Sequence, residues 1–216
     1  MKARGRVNRA AGAVLTALTM AVAATGCSST PSAGSAATLG SRDIGNDTLT
    51  TQVDEVLDAR GTGAGAPDAA LVADILQRLV ITELVDEGAA RKGVVVTQGQ
   101  IDRAIAEAEA QLGGEDQLRQ VFLDSNVPPS AIPTQFRLSL QVDGLGALLA
   151  PEAEDQARQE AVFRYAVDLG KQLDARVSPR YGTWVPDELQ VGPVPTDLAS
   201  PQAPQGDGLA DLVPSG

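Results

Sequence analysis

The sequence contains no histidine and only one cysteine, Cys27, among its 216 residues. Without histidine, the chain cannot perform Ser-His-Asp or Cys-His catalysis, and it cannot form a His-ligated zinc site. A single cysteine excludes an intramolecular disulfide. Because these absences remove the commonest hydrolytic and structural-metal chemistry, we expect a protein that is not an enzyme, with no catalytic residues, no metal and no cofactor.

Aromatic and basic residues are also scarce. Four of the 17 Lys and Arg residues lie in the first 26 residues, which hold no acid, so the rest of the chain has 13 bases against 28 acids. Such an acidic surface repels phosphate groups, and we expect no nucleic acid among the partners. Leu, Val, Ile and Ala must form most of the core, since there are only six aromatic residues: Phe122, Phe136, Phe163, Tyr165, Tyr181 and Trp184.

The start of the chain predicts an exported lipoprotein. A basic beginning is followed by an apolar run from Ala10 to Ala24, which is shorter than the ~20 residues of a membrane span. The sequence ATGC at residues 24–27 resembles a bacterial lipobox, although leucine is commonest where alanine stands at its first position. In a lipobox the cysteine thiol is diacylated and the cysteine becomes the new N-terminus. We therefore interpret Cys27 as the lipid-attachment residue; the alternative is an ordinary secretory signal with an incidental cysteine.

This interpretation places the protein at the extracytoplasmic face of the cell membrane, anchored through its lipid. Residues 1–26 would be the signal peptide, and residues 27–36, rich in Ser, Ala and Gly, a flexible tether. We expect residues 37–185 to form one folded domain. Residues 186–216 contain many Pro and Gly residues and few large apolar ones, which predicts a disordered acidic tail.

One long helix, predicted over residues 69–93, is the element around which we expect this domain to be built. Its apolar side chains form a stripe too wide for a surface helix that rests on one neighbour. Asp68 is suited to cap its first turn, and Gly93 to end it. On the exposed side we expect Asp74 and Arg78 to pair. The apolar stripe consists of Leu71, Val72, Ile75, Leu76, Leu79, Val80 and Leu84.

Before the central helix, turn-forming residues predict a short hairpin within residues 36–49. A helix should follow from Thr50 or Thr51, with Asp54 completing a capping box. This helix ends at GTGAGA, residues 61–66. A phosphate-binding loop would follow a strand and carry a Lys-Ser/Thr pair, and GTGAGA does neither, so we expect no nucleotide there.

Behind the central helix, Thr97 and Gln100 predict a second capping box at the start of a helix over residues 98–112. Two glycines separate it from a short helix over residues 115–124, which ends before an Asn-Val-Pro-Pro break.

Two longer helices and an extended segment complete the predicted domain. Ser130 should cap the first of these helices, and Gly144 and Gly146 predict that its second half is weakened or bent, since each glycine costs about 1 kcal/mol relative to alanine. Pro151 should begin the last helix. The segment VSPRYGTW, residues 177–184, mixes β-forming residues with Pro and Gly and should be extended.

This order of elements resembles the N-terminal domain of SurA-type proteins, which is related to the peptide-binding domain of trigger factor. The similarity is greatest in ILQRLVITELVDEGAARKGVVVTQGQID, residues 75–102. PRYGTW, residues 179–184, resembles the end of the lipoprotein branch of these proteins. The resemblance implies a mainly α fold, an irregular multi-helix domain around the long central helix, with a short N-terminal hairpin and an extended C-terminal segment.

The same resemblance implies chaperone-like binding of unfolded or extended polypeptides outside the cytoplasmic membrane. Many members also carry a parvulin prolyl isomerase, but this chain has no room for a module of ~90 residues and lacks its usual histidines. The function expected is therefore holdase-like client binding without catalysis. The alternative is a structural or adaptor lipoprotein of the cell envelope that docks one specific protein partner.

The apolar stripes have two interpretations at this point. Leu71, Leu79, Phe122 and Phe136 are either core residues or client contacts, and helical spacing favours the core. For the same reason, Tyr181 and Trp184 are expected to pack the extended segment back onto the helices.

Overall fold

The computed structural model describes residues 34–63 and 67–195, and this part of the chain is mainly α-helical, as the sequence predicts. The helices are α1 (Asn46–Ala59), α2 (Ala69–Lys92), α3 (Gln98–Leu112), α4 (Glu115–Asp124), α5 (Ile132–Leu149) and α6 (Asp155–Gln172), with a 3-10 turn at Pro129–Ala131. The strands are β1 (Ser35–Leu39), β2 (Arg42–Gly45), β3 (Arg176–Val177), β4 (Thr183–Val185) and β5 (Gln190–Gly192).

The predicted N-terminal hairpin is present as β1 and β2. β1 is the middle strand of a three-stranded sheet, antiparallel to β2 on one side and to β3 on the other. Ser35 and Ala36 are almost fully buried in this sheet, so the folded domain begins before the predicted boundary at residue 37. The remainder of the predicted tether lies outside the described residues.

The first helix begins earlier than the sequence suggests. α1 starts at Asn46, directly after β2, and the predicted capping box of Thr51 and Asp54 is wrong because both residues are exposed inside the helix. Leu49 is buried together with Val53, one turn further along. Packing of that extra turn against the core outweighs the turn-forming residues at its start.

The central helix α2 has the predicted ends. Asp68 accepts a hydrogen bond from the main-chain N–H of Ala70 at 3.1 Å, and Gly93 ends the helix in the left-handed conformation with φ 71°. α2 packs against α1, α5, α6, β1 and β5. Ile75 and Leu76 are completely buried, so the wide stripe is covered on several sides as expected.

The helices behind α2 follow the prediction except at their starts. α3 has the predicted capping box of Thr97 and Gln100. Ser130, however, does not cap α5: it lies in the 3-10 turn, and its main-chain N–H and its hydroxyl donate to the Glu55 carboxylate of α1 at 2.8 and 2.5 Å. α6 begins at Asp155 rather than Pro151, because a turn separates it from α5.

The glycines in α5 allow close approach. The helix continues through Gly144 and Gly146 to its end. A Cβ atom at Gly144 would lie 2.7 Å from Cγ1 of Val94, and one at Gly146 would lie 3.0 Å from Cβ of Arg158. Their small size therefore lets the segment before α3 and the start of α6 lie directly on α5.

The predicted boundary of the acidic tail at residue 186 is also wrong. β4 and β5 form an antiparallel hairpin, as Trp184 pairs with Val191. The main-chain N–H of Val191 donates to the Gln77 side chain on α2, and Leu189 is buried in the core. These contacts with α2 stabilise the β4–β5 hairpin, although its own sequence has little apolar character. The predicted tail from residue 196 onward lies outside the described residues.

Three apolar clusters hold the described fold together. The main core joins α2 to the sheet, α1, α6 and the β4–β5 hairpin, and it includes Leu71, Leu79, Tyr181 and Trp184, as the helical spacing favoured. A second cluster joins α2, α5 and α6. A third, smaller cluster lies between α3, α4 and the start of α5; Phe122 and Phe136 pack against it.

Candidate functional site

The third cluster joins the start of α5 to an arm formed by α3 and α4. The turn between these helices depends on Gly113 and Gly114, whose φ angles of 96° and 127° favour glycine. Ile101 is the only residue of α3 that is buried, so α3 has few buried contacts with the rest of the domain. The arm therefore lies across the start of α5 instead of being enclosed by other helices.

An open groove of about 190 Å³ runs between this arm and α5, and we call it the arm groove. Apolar side chains make up most of its lining, and its polar residues belong to the two helices of the arm. The apolar lining comprises Ile105, Leu118, Pro129, Ile132 and Pro133, and the polar lining comprises Glu109, Glu115 and Arg119. Such a surface can contact apolar side chains without selecting one sequence.

Further apolar side chains are exposed on the same arm. Leu112 is 42% exposed at the end of α3, and Val121 is 48% exposed on α4. In contrast, Arg119 is paired with Glu115 at 2.5 Å and with Asp116 at 3.1 Å. Arg119 thus offsets only part of the negative charge at the groove, which keeps a net negative charge beside its apolar surface.

A second opening, which we call the Arg78 cavity, has a volume of about 270 Å³. It lies between α2, the end of α4 and α5, and it is lined by Asp74, Gln77, Arg78, Ile81, Ser125, Gln135 and Leu138. The predicted pair of Asp74 and Arg78 is absent. Arg78 instead donates through Nη2 to the side chain of Gln52 and the main-chain oxygen of Asn126. Burial lowers the pKa of Arg78 to about 10, although the charge of Glu55 opposes this effect.

A third cavity, about 320 Å³, lies between α5 and α6 and is mainly polar. Its lining includes Arg158, whose guanidinium donates to the main-chain oxygens of Ala150 and Pro151. Those bonds fix the turn between the two helices. We therefore assign this cavity to the structure of the turn.

The predicted lipid-attachment residue, Cys27, and the predicted signal peptide lie outside the described residues. None of the helices in residues 34–63 and 67–195 combines the length and the apolar character that a transmembrane span needs. Within the same ranges, no three His, Cys, Asp or Glu side chains are placed to hold a metal ion.

Sequence reasoning treated Arg78 as a surface residue and did not identify its cavity. No local pattern marks the site, because its walls come from helices far apart in the sequence. The nearest signal was the Asn-Val-Pro-Pro break: Asn126 takes a positive φ of 60° there and turns the chain so that α5 faces α2.

No protein-family model, curated protein or solved structure matches the chain.

Proposed function

We propose that this protein is a lipoprotein, anchored through Cys27 at the extracytoplasmic face of the cell membrane, that binds unfolded or extended polypeptides without changing them chemically. The observation that carries the proposal is the arm groove. It is open and apolar, and it lies outside the main core. We further propose that the chain is a SurA N-terminal-domain-like member of the trigger factor and SurA superfamily that lacks a parvulin domain.

The lining of the arm groove suits a holdase because it has little directional chemistry. Ile105, Pro129 and Pro133 are its solvent-accessible apolar residues, and they offer contact area but no hydrogen bonds, so many apolar side chains fit equally well. The volume of about 190 Å³ is smaller than a typical ligand pocket of roughly 300–1,000 Å³. The groove would therefore hold one or two client side chains at a time, which favours weak and reversible binding.

The light attachment of α3 also supports this function. A helix that buries only Ile101 has few apolar contacts opposing its movement, and such elements open at low free-energy cost. Movement of the arm would widen the groove for larger side chains. Exposed Leu112 and Val121 would extend the contact along the arm.

The alternative is an adaptor that docks a single envelope protein. It is favoured by two large apolar side chains outside the arm, Leu148 on α5 and Phe163 on α6, which are 58% and 43% exposed. A fixed partner would cover such residues permanently.

An aggregation assay tests the proposed function. The chain from residue 28 to 216 contains the whole described fold, and we expect it to suppress aggregation of a chemically denatured client at a near-stoichiometric ratio. Pro133→Glu places a charge at the groove, and an acid in the first turn of α5 is compatible with the helix. We expect this variant to lose at least about half of the suppression, since a charge in an apolar contact is costly.

Pro151→Glu is the matched control, because it makes the same substitution at an exposed turn away from the groove. It should suppress aggregation as the parent protein does. A folded parent protein that gives no suppression contradicts the proposal. Capture of a single envelope protein, with no affinity for denatured clients, would favour the adaptor instead.

A further inference from the structure

The donors of Arg78 are only partly used by the protein. Its Nη2 donates to Oε1 of Gln52 at 3.0 Å and to the main-chain oxygen of Asn126 at 3.4 Å, and both acceptors are neutral. In the described part of the chain, no carboxylate lies within ion-pair distance of this guanidinium. Nε and Nη1 make no hydrogen bond to the described residues, and Arg78 lines the cavity. Two nitrogens of this half-buried cation therefore keep N–H donors for a ligand.

Two carboxylates near Arg78, those of Glu55 and Asp74, are engaged elsewhere. Glu55 accepts from the main-chain N–H and the hydroxyl of Ser130. Asp74, which lines the cavity, accepts from Nδ2 of Asn126 at 2.9 Å. Neither neutralises Arg78 directly. Their negative charges nevertheless disfavour a doubly charged anion such as a phosphate, so a singly charged group fits the cavity better.

The wall that faces Arg78 is fixed in place by Asn126. The main-chain oxygen of Asn126 accepts from Arg78, its Oδ1 accepts from Arg60 at 2.7 Å, and its Nδ2 donates to Asp74. Arg60 also holds the main-chain oxygen of Leu123 at 2.6 Å. Because these bonds join α1, α2 and the end of α4, the guanidinium of Arg78 is held in one position before a ligand arrives, which reduces the entropy lost on binding.

The remaining lining contains both apolar and amide groups. Ile81 and Leu138 offer contact to an apolar side chain. Gln135 makes no side-chain hydrogen bond to the described residues, so its amide is available to a ligand. The volume of about 270 Å³ limits the occupant to a small group or a chain end.

We propose that the Arg78 cavity binds a carboxylate that is attached next to an apolar side chain, as at the C-terminal end of a polypeptide that ends in leucine. The carboxylate accepts a charge-assisted hydrogen bond from Nη1 of Arg78, because Nη2 already donates to Gln52 and Asn126. The apolar side chain lies against Ile81 and Leu138. This site is separate from the arm groove, and it can exist whether or not the groove binds clients.

Fluorescence anisotropy tests the proposal with a labelled hexapeptide that ends in leucine, prepared with a free C-terminal carboxylate and as the C-terminal amide. The protein is the chain from residue 28 to 216. We expect the amide to bind at least about tenfold more weakly, as the loss of a charged hydrogen bond predicts. Equal binding of the two peptides would overturn the proposal.

Competition then separates two sources of the carboxylate. If N-acetylleucine displaces the labelled peptide at a concentration similar to that of the unlabelled peptide, a small apolar acid is a sufficient ligand. If its displacement is much weaker, the ligand is the end of a polypeptide chain. Both results support a carboxylate site. Displacement by N-acetylleucinamide as effective as that by N-acetylleucine would count against it.

Variants locate the site. Gln135→Glu adds a carboxylate beside Arg78 without removing any hydrogen bond of Arg78, and it should weaken the free-acid peptide by at least about tenfold. Gln156→Glu makes the same charge change at an exposed position of α6, and the affinity should stay within about twofold of that of the parent. Arg78→Gln should abolish the preference for the free acid, and Gln135→Glu keeps the test decisive if that variant does not fold. Unchanged affinity in folded Gln135→Glu would exclude this cavity.

Discussion

Gly88 on α2 lies directly against the ring of Tyr165 on α6. A Cβ atom built at Gly88 would be 2.8 Å from Cε1 of Tyr165 and 3.5 Å from Cδ2 of Leu169. Glycine is unfavourable inside a helix, yet here it permits α2 and α6 to approach closely. Lys92, one turn further along α2, lies 5.2 Å from the centre of the same ring. The contact between these two helices therefore depends on a missing side chain.

Gly88→Val should destabilise the protein by about 1–3 kcal/mol, because the added atoms overlap the Tyr165 ring in a packed core. The measurement is urea unfolding followed by circular dichroism. Gly99→Ala is the control, since a Cβ atom at Gly99, also in a helix, meets no other atom within 4 Å. That variant should be as stable as the parent or more so. If both substitutions have the same effect, the close approach at Gly88 is unimportant.

The ion pairs of Arg42 should make stability depend on pH. Arg42 of β2 is 2.9 Å from Glu83 and 3.0 Å from Glu87, and Glu87 also accepts from Arg91 at 2.8 Å. These bonds, the one from Arg91 foremost, lower the pKa of Glu87. The pKa of a glutamate in the unfolded chain is about 4.3. Because the pKa of Glu87 is lower in the folded state, its carboxylate stabilises the fold at pH values above about 4.3, and this stabilisation is lost as the pH falls below that value.

Glu87→Gln should therefore melt at a lower temperature than the parent at pH 6, by roughly 2 °C for a surface pair. The difference should shrink as the pH falls from 6 to 3, because the parent carboxylate takes up protons along this range. Differential scanning calorimetry at both pH values measures it. A constant difference across this range would mean that the charge of Glu87 does not contribute.

The bond from Ser130 to Glu55 should hold the 3-10 turn onto α1. Glu55→Ala removes both acceptors and should cost about 1–2 kcal/mol in the free energy of unfolding. Glu55→Gln keeps one acceptor oxygen and should cost less. Asp54→Ala, at an exposed neighbour on the same helix, serves as the control in the same unfolding measurement and should have little effect. Equal losses in all three variants would assign the effect to α1 itself.

Lipidation at Cys27 is tested by expression of the complete chain in a bacterial host. The parent should sediment with membranes, and mass spectrometry should find a diacylglyceryl group on the cysteine. Cys27→Ser should lose both the lipid and the cleavage that depends on it. An unmodified cysteine in the parent would instead favour the ordinary secretory signal.

Local sequence patterns determined the ends of several helices correctly. The Asp68 cap, the left-handed Gly93 and the capping box of Thr97 and Gln100 are all where the sequence places them. Each depends on residues within a few positions of one another, so the local pattern is sufficient. The wide apolar stripe of α2 likewise required a central position, since only several neighbours can cover it.

Tertiary structure alone decided which side chains form the candidate sites. Ser130 resembles a helix cap in the sequence, but its partner Glu55 is 75 positions away. Arg78 resembles a surface base, but its partner Asn126 is 48 positions away, and the polar segment at β5 is ordered by α2. The sequence by itself therefore determined the helices and the interpretation of Cys27. The arm groove and the Arg78 cavity form only in the folded structure, where turns at Gly113 and Asn126 bring distant helices together. The sequence does not predict them, because residues far apart in the chain leave no periodic pattern.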